Sequence, residues 1–538
     1  IEAKKSSFKN RVFPEKNIAH ENRPPHRNYP HGGTLVWGVA NQPQIINPIL
    51  TQSSVSASLM ELIFDSLVRI DSKGNIIPGL AEKWDISDDG LEYTFYLKQG
   101  VQFHDGVELT AEDVLFTYQQ VVDSKNHSPF RSQYELVKNF EAVDKYIFKI
   151  ILTKPFPALL HKMLLEIIPR HILEGEDLNK TAFNYYPIGT GPFKFKDWNK
   201  DTHRIKLEAN SDYFKGRPYL DRIIVKTYID NSHLWAALMR HEVDLVQWIT
   251  SEDYSIIKKD PAFKAYAVPF SMYYAIAFNV EDSIWRDQQL RQAVAHGINK
   301  RTIIDSLPRF EGVESAGPFH PESTGFNPDV KPFENDPVKA KMMLMHRGWL
   351  DVSANMNNSE YGIRKKSGQE LELRLLVDER NEMYEKMVKV IRQNLSEIGI
   401  KTKVLLYESE QELTQEYLDR YKPQAWLRFY VGFGFGEFDN YDTTGNWYSS
   451  SSESGKLWDY KNDEVDRLYE LARITRDENI RAEIYKKVHK IIYEDQPACF
   501  LFYPSWYLAI NARFKNTEEY FSLHMPTYTM KDWYVSQN

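Results

Sequence analysis

The residues best suited to chemistry in this 538-residue chain are its 15 histidines, its single cysteine and a few paired acids. A metal site needs several such ligands at matched spacing. His20, His26 and His31 are separated by prolines and have no Cys or acid cluster beside them, so they read as a solvated tail. His241-Glu242 has no second histidine four residues on, and the zinc-protease helix is missing. No Gly-x-Ser-x-Gly elbow marks a serine hydrolase. Cys499 lies in the apolar run 498–503 with no base nearby to hold a thiolate, and it reads as a buried, inert thiol.

The run Gly432-Phe-Gly-Phe-Gly436 has the glycine alternation of a phosphate loop. It lacks the Lys-Ser/Thr pair of a P-loop and the downstream helix of a dinucleotide site. Alternate glycines instead permit close backbone approach, either to packed neighbours or to a ligand. Asp88-Asp89 sits in turn-like sequence and reads as a solvated loop. Asp439-Asn440 stands among aromatics, where structural and ligand-binding readings are equally open. Catalysis has no positive support, and no metal or cofactor is implied.

The elements that must position any site come next. A chain this long exceeds one compact core, so two or three lobes are expected. Hydrophobic residues at 42% and charged residues at 26% describe a globular protein. The net charge of −8 argues against nucleic acid as a partner. Aromatics reach 14%, providing core volume and rigid surfaces for gripping ligands. No apolar stretch reaches the 18 or so residues of a membrane span. Residues 1–32 read as a flexible leader, and the lack of an initiator Met is consistent with a targeting segment already removed.

Strands are predicted over Thr34–Ala40, Glu92–Leu97, Tyr146–Leu152, Arg204–Ala209, Arg222–Tyr228, Val243–Trp248 and Tyr273–Asn279. Helices are predicted over Ser56–Leu67, from a Thr110 cap to Val122, over Asn231–Arg240, and as one amphipathic helix over Asp287–Asp305. Leu371–Tyr407 reads as strand, helix and strand, a βαβ crossover with parallel strands. Two further helices, Asn462–Ile474 and Asp477–Tyr493, precede the last strands. The class is α/β with several mixed sheets and no obvious linker, so lobes are expected to be discontinuous.

Several ordered blocks then carry a resemblance. They are Ile76-Ile-Pro-Gly-Leu-Ala-Glu-Lys-Trp84, Asp88-Asp-Gly-Leu-Glu-Tyr-Thr-Phe-Tyr-Leu-Lys98, Phe103-His-Asp-Gly106, Leu109-Thr-Ala-Glu-Asp-Val114 and Gly189-Thr-Gly-Pro-Phe-Lys194. With Asn210-Ser-Asp-Tyr-Phe214 and Leu290-Arg-Gln-Ala293, they make residues 33–538 resemble the peptide- and nickel-type family of extracellular solute-binding proteins of ABC importers. That resemblance implies a class II periplasmic-binding-protein-like fold. Lobe I would comprise 33–63, 187–279 and 499–538, the extra small domain 64–186, and lobe II 280–498. Two crossovers near Asn279 and Ala498 would act as the hinge. It also implies a monomeric, extracytoplasmic, non-enzymatic receptor that closes on a peptide or peptide-like solute and docks on a membrane permease.

The resemblance further implies a pocket. The strand wall that pairs with ligand backbone matches Arg428–Phe438, with Phe433, Gly434 and Phe435 against the ligand. Trp426, Arg428, Tyr430, Tyr273, Tyr274, Phe130, Ser53 and Ser54 complete the set. Peptide receptors of this class commonly keep an amine-binding aspartate three residues before the run matched here by Glu437-Phe-Asp-Asn440. Gly434 stands there instead. Either Glu437 or Asp439 substitutes, or the ligand lacks a free α-amine in that place. Relatives without the acid take metal chelates, glycosides, opine-like compounds or other solutes, and the same fold also serves sensing.

Overall fold

The structure is a computed structural model, and it describes residues 29–40, 42–51, 53–71, 76–269, 272–307, 311–321, 323, 325–351, 362–431, 447, 449, 460–475, 477–517 and 526–536. The first strand, β1 (Thr34–Val39), buries Leu35 and Trp37 completely. Helix α1 (Ser54–Ile63) follows and turns Leu59, Leu62 and Ile63 into the same core.

The chain next builds a small antiparallel sheet from β2 (Ala81–Ile86), β3 (Glu92–Leu97), β4 (Val137–Asp144) and β5 (Ile147–Leu152), ordered β2-β3-β5-β4. Strict alternation in β3 and β5 places Tyr93, Phe95 and Leu97 beside Phe148, Ile150 and Leu152 on the buried face. Helix α2 (Ala111–Val122) packs on this sheet. Its start is fixed by Asp113, whose Oδ2 accepts from the Thr110 N–H at 2.9 Å, a capping contact contributing about 1 kcal/mol.

Strands β6 (Phe193–Asn199), β7 (Arg204–Ala209) and β8 (Arg222–Thr227) form an antiparallel meander, and β8 pairs parallel with β1. Helix α3 (Asn231–Met239) then crosses to β9 (Leu245–Ile249), parallel to β1 on its other side. Gly38 makes room for this crossover, since a Cβ there would stand 2.4 Å from Leu234 Cδ1.

Strands β10 (Phe263–Pro269) and β11 (Met272–Phe278) lead into the second half of the molecule. The single helix expected over Asp287–Asp305 is two, α4 (Gln288–Gly297) and α5 (Lys300–Asp305). Asn299 causes the break: its Oδ1 accepts from the Thr302 N–H at 3.0 Å, capping a new helix where the apolar period continues unbroken. Strand β12 (Glu311–Glu314) precedes the βαβ unit of β13 (Glu372–Asp378), α6 (Glu382–Glu397) and β14 (Lys401–Tyr407). The β13–β14 pairing is parallel, Glu372 to Lys401 through Asp378 to Tyr407, as expected. Strand β15 (Ala425–Val431), helices α7 (Asp463–Ile474) and α8 (Glu478–Asp495) and the long β16 (Ala498–Asn511) complete the frame.

One mixed 12-stranded sheet, ordered β14-β13-β15-β11-β16-β9-β1-β8-β7-β6 with β10 and β12 also on β16, dominates the several sheets of the α/β fold. Strand β16 joins its halves. Ala498–Phe502 pairs with β11, while Tyr507–Ile510 pairs with β9. Cys499 is buried there, and desolvation pushes its thiol up to about 11, away from reactivity. The end of the expected leader is packed rather than solvated: Tyr29 stacks on Tyr534 at 4.1 Å and His31 on Tyr219 at 5.1 Å.

The Gly189-Thr-Gly-Pro192 turn is a packing device as well. A Cβ on Gly189 would meet the Ile63 carbonyl oxygen at 2.1 Å, and one on Gly191 the Ile63 carbonyl carbon at 2.5 Å. Between these glycines Thr190 donates to the buried Asp65 at 3.1 Å, and Tyr213 donates to it at 2.9 Å. Burial pushes the Asp65 carboxyl up, opposed by the nearby charges of Arg69 and Lys215.

Candidate ligand-binding site

Strands β11 and β15 bring four of the sequence-predicted residues together. Their antiparallel register sets Tyr273 opposite Tyr430, Ala275 opposite Arg428 and Ala277 opposite Trp426. Strand alternation therefore puts Trp426, Arg428, Tyr430 and Tyr273 on one face, with Tyr274 and Phe429 on the other. The Arg428 guanidinium lies 4.1 Å over the Trp426 ring and 5.3 Å from that of Tyr430. Tyr273 is fully buried, stacks on Tyr430 at 5.4 Å, and accepts a hydrogen bond from Trp447 Nε1 at 3.0 Å. Desolvation pushes the Tyr430 phenol up to about 12, so it stays neutral. Trp426 is also buried, and its Nε1 donates to Tyr407 Oη at 3.1 Å. Tyr274 stacks on Phe502 at 5.0 Å within the opposite core.

The remaining predicted residues are dispersed. Phe130 is half-buried against the core that contains Phe95 and Phe148. Ser53 is the exposed N-cap of α1, and Ser54 is that helix's first residue. Phe433, Gly434, Phe435, Glu437 and Asp439 lie outside the described residues. Among the described residues no cluster of three or more His, Cys, Asp or Glu is arranged to hold a metal ion. No helix among them is long and apolar enough to cross a membrane.

A cavity of about 430 Å³ opens where the carboxyl ends of the parallel strands β1, β8 and β9 meet. That edge of an α/β sheet is where ligands characteristically bind, because the backbone there fans apart and helices begin beside it. Val39 and Ala40 come from the end of β1, Val55 and Ser58 from α1, and Gln247 and Trp248 from β9. Ile229, Asp230, Asn231 and Leu234 close it from the turn into α3. Asp230 caps α3, its Oδ1 accepting from the His233 N–H and from His233 Nδ1, both at 2.8 Å. Those bonds hold its carboxyl below the usual range.

None of these lining residues is among those the sequence singles out, although Ser53 and Ser54 immediately precede Val55. Trp248 was read as an ordinary strand residue. Its backbone instead has φ 65, and the β9–β16 pairing shifts register between Gln247 and Ile249 around it. An apolar run such as Leu245-Val-Gln-Trp-Ile249 carries no sign of a bulge, because the extra residue is defined only by the register against the partner strand β16. The one visible signal is Gln247 itself, a polar residue inside a run of buried ones.

The model of the bacterial extracellular solute-binding proteins, family 5 Middle, matches residues 75–455. The oligopeptide-binding protein AppA of Bacillus subtilis is 31% identical over 524 residues, covering 94% of this chain and 92% of that protein. The dipeptide-binding protein of Escherichia coli is 28% identical over 499 residues, covering 87% of this chain and 89% of its own. The solved structure of Bacillus subtilis AppA in complex with a nonapeptide aligns with a TM-score of 0.71 and 29% identity, over 95% of this chain and 100% of that one.

Proposed function

This chain belongs to family 5 of the bacterial extracellular solute-binding proteins, and from that premise we propose that it captures peptides for an ABC importer. The alignment with a nonapeptide complex along nearly the whole chain is the observation that carries the peptide reading. In this reading the protein works outside the cytoplasm as a monomer, binds its cargo without turning it over, and presents the closed form to a membrane permease. Ligand contacts made only in the closed form shift the open–closed equilibrium toward closure.

In this reading the chain divides approximately as expected from the resemblance, with 33–63, 187–279 and 499–538 as one lobe, 64–186 as a small domain and 280–498 as a second lobe. The strand pairings support crossovers somewhat inside those limits. All of β11 pairs with β15, and its residues Tyr274–Ala277 pair with the start of β16, favouring a first crossing just before Met272. On β16 the neighbours change from β11 to β9 between Phe502 and Tyr507, favouring a second crossing there. Bending at two adjacent strand segments suffices for hinge closure.

Native mass spectrometry of the protein as purified, then denaturation and identification of what is released, tests the reading. Released peptides, replaceable by synthetic tetrapeptides with a rise in melting temperature, are the expected result. Release of glycosides or metal chelates that no peptide displaces would overturn the peptide assignment.

A further inference from the structure

The cavity at the carboxyl edge of β1, β8 and β9 combines three features that together define a ligand group. The first is an aromatic platform. Trp248 stacks on Trp506 at 4.8 Å with 24° between the planes. Trp506 is 4% exposed, whereas Trp248 is 39% exposed, so the outer ring of the pair is the accessible one. Left-handed backbone is disfavoured for a residue as bulky as Trp, and holding it there at a bulge aims the ring away from the strand's regular alternation. Ile229, in the same wall, is 83% exposed. Exposed apolar side chains gathered at a cavity mark a surface that a partner group covers.

The second feature is an unused donor. Gln247 lines the cavity and is 8% exposed, yet its Nε2 has no acceptor among the described residues. Buried amide N–H groups are nearly always paired, so this one awaits an acceptor from outside the chain. The third is charge. Among the described residues the lining contains no Lys or Arg, and the one carboxylate there, Asp230, is already bonded to His233. A ligand carboxylate placed here would face a like charge and meet no cation.

We propose that this cavity is a side-chain subsite that takes an uncharged aromatic or branched apolar side chain of the cargo. The side chain lies against Trp248 and Ile229, and the adjoining carbonyl oxygen accepts from Gln247 Nε2. The inference rests on the peptide-receptor reading and deepens it by naming the kind of residue selected.

Titration calorimetry with tetra-alanine, and with the eight tetrapeptides carrying a single Phe or a single Asp at each position, tests it. At one position Phe should tighten binding by about tenfold over tetra-alanine, the order expected for burying an aromatic ring, and Asp should weaken it there. Trp248→Ala should reduce the Phe preference to less than about threefold; Trp248→Gly, which suits the left-handed backbone, serves if the alanine variant fails to fold. Gln247→Leu should weaken the whole panel while keeping the preference for Phe. Equal affinity for Phe, Asp and Ala at every position, or a preference that survives loss of Trp248, overturns the subsite and spares the peptide receptor. Binding of no peptide in the panel overturns both.

Discussion

His104 Nε2 donates to the carbonyl oxygen of Gly191 at 3.0 Å, while its Nδ1 accepts from the Gly189 N–H at 3.3 Å. One imidazole thereby ties the Phe103-His-Asp-Gly106 turn to the Gly189-Thr-Gly-Pro192 turn, a joint between segments about 85 residues apart in the chain. Only the neutral ring can make both bonds, because a protonated ring has no acceptor.

That requirement gives the joint a pH dependence. Burial pushes the His104 imidazole down to about 4, with the Gly191 carbonyl pulling the other way. The unfolded chain has an ordinary histidine there, near 6.5, and takes up its proton first as pH falls. Stability is therefore full above about pH 6.5, is lost as pH falls toward 4, and levels off below, by at most about 3 kcal/mol from this group. Urea unfolding of the wild type and His104→Gln at pH 7 and 4.5 measures the difference. The variant should be less stable at pH 7 but show a shallower decline, and identical slopes would remove His104 as the cause.

The glycines facing His104 should be far less replaceable than those in open turns. Gly189→Ala would drive a Cβ onto the backbone oxygen of Ile63, 2.1 Å away, and backbone cannot step aside as a flexible side chain can. Such overpacking costs about 1–3 kcal/mol or more. Gly106→Ala meets nothing within 4 Å and pays only for its φ of +92, about 1–2 kcal/mol. Melting temperatures should therefore rank wild type, Gly106→Ala, then Gly189→Ala. A reversed order would mean that the two turns are relaxed in solution.

Much of this frame was readable beforehand because local chemistry and tertiary structure agree. The Thr110 cap, the alternation of Glu92–Leu97 and the βαβ unit ending at Tyr407 all lie where the sequence places them. Disagreement arises where a partner decides. Asn299 splits a helix that apolar periodicity would continue, and β9 carries Trp248 as an extra residue against β16 although its sequence is that of a plain strand. The site was legible in the same uneven way. Resemblance led to the Trp426, Arg428 and Tyr430 face, whereas the cavity wall of Ile229, Gln247 and Trp248 required the strands to be set side by side.

The Arg428 guanidinium, held between Trp426 and Tyr430, contributes to stability through the faces of both rings. Arg428→Met keeps a long apolar stem and removes the charge, so packing is largely preserved while the cation–π attraction is lost. A stability loss of about 0.5–2 kcal/mol is expected. Arg428→Lys should recover only part of it, because an ammonium cannot lie flat between two rings. Guanidinium chloride and urea unfolding should agree on this ranking; equal stability of all three proteins would leave the stack without energetic weight.

The last prediction concerns Gly434, three residues beyond β15 and outside the described residues, where peptide receptors of this class commonly keep an aspartate. Burying a ligand ammonium without a counter-charge costs roughly several kcal/mol, and an aspartate at that position would offset the cost. Gly434→Asp should therefore raise affinity for tetra-alanine by about tenfold or more, the scale of one charged hydrogen bond. N-acetyl-tetra-alanine, which has no ammonium to neutralise, should gain nothing, so the ratio of the two affinities isolates the electrostatic effect from changes in protein stability. If Glu437 or Asp439 already fills the role, both peptides will bind the wild type with unequal affinity and the substitution will add little. Equal wild-type affinities followed by a gain for tetra-alanine alone would instead mean that the natural cargo carries no free α-amine at this place.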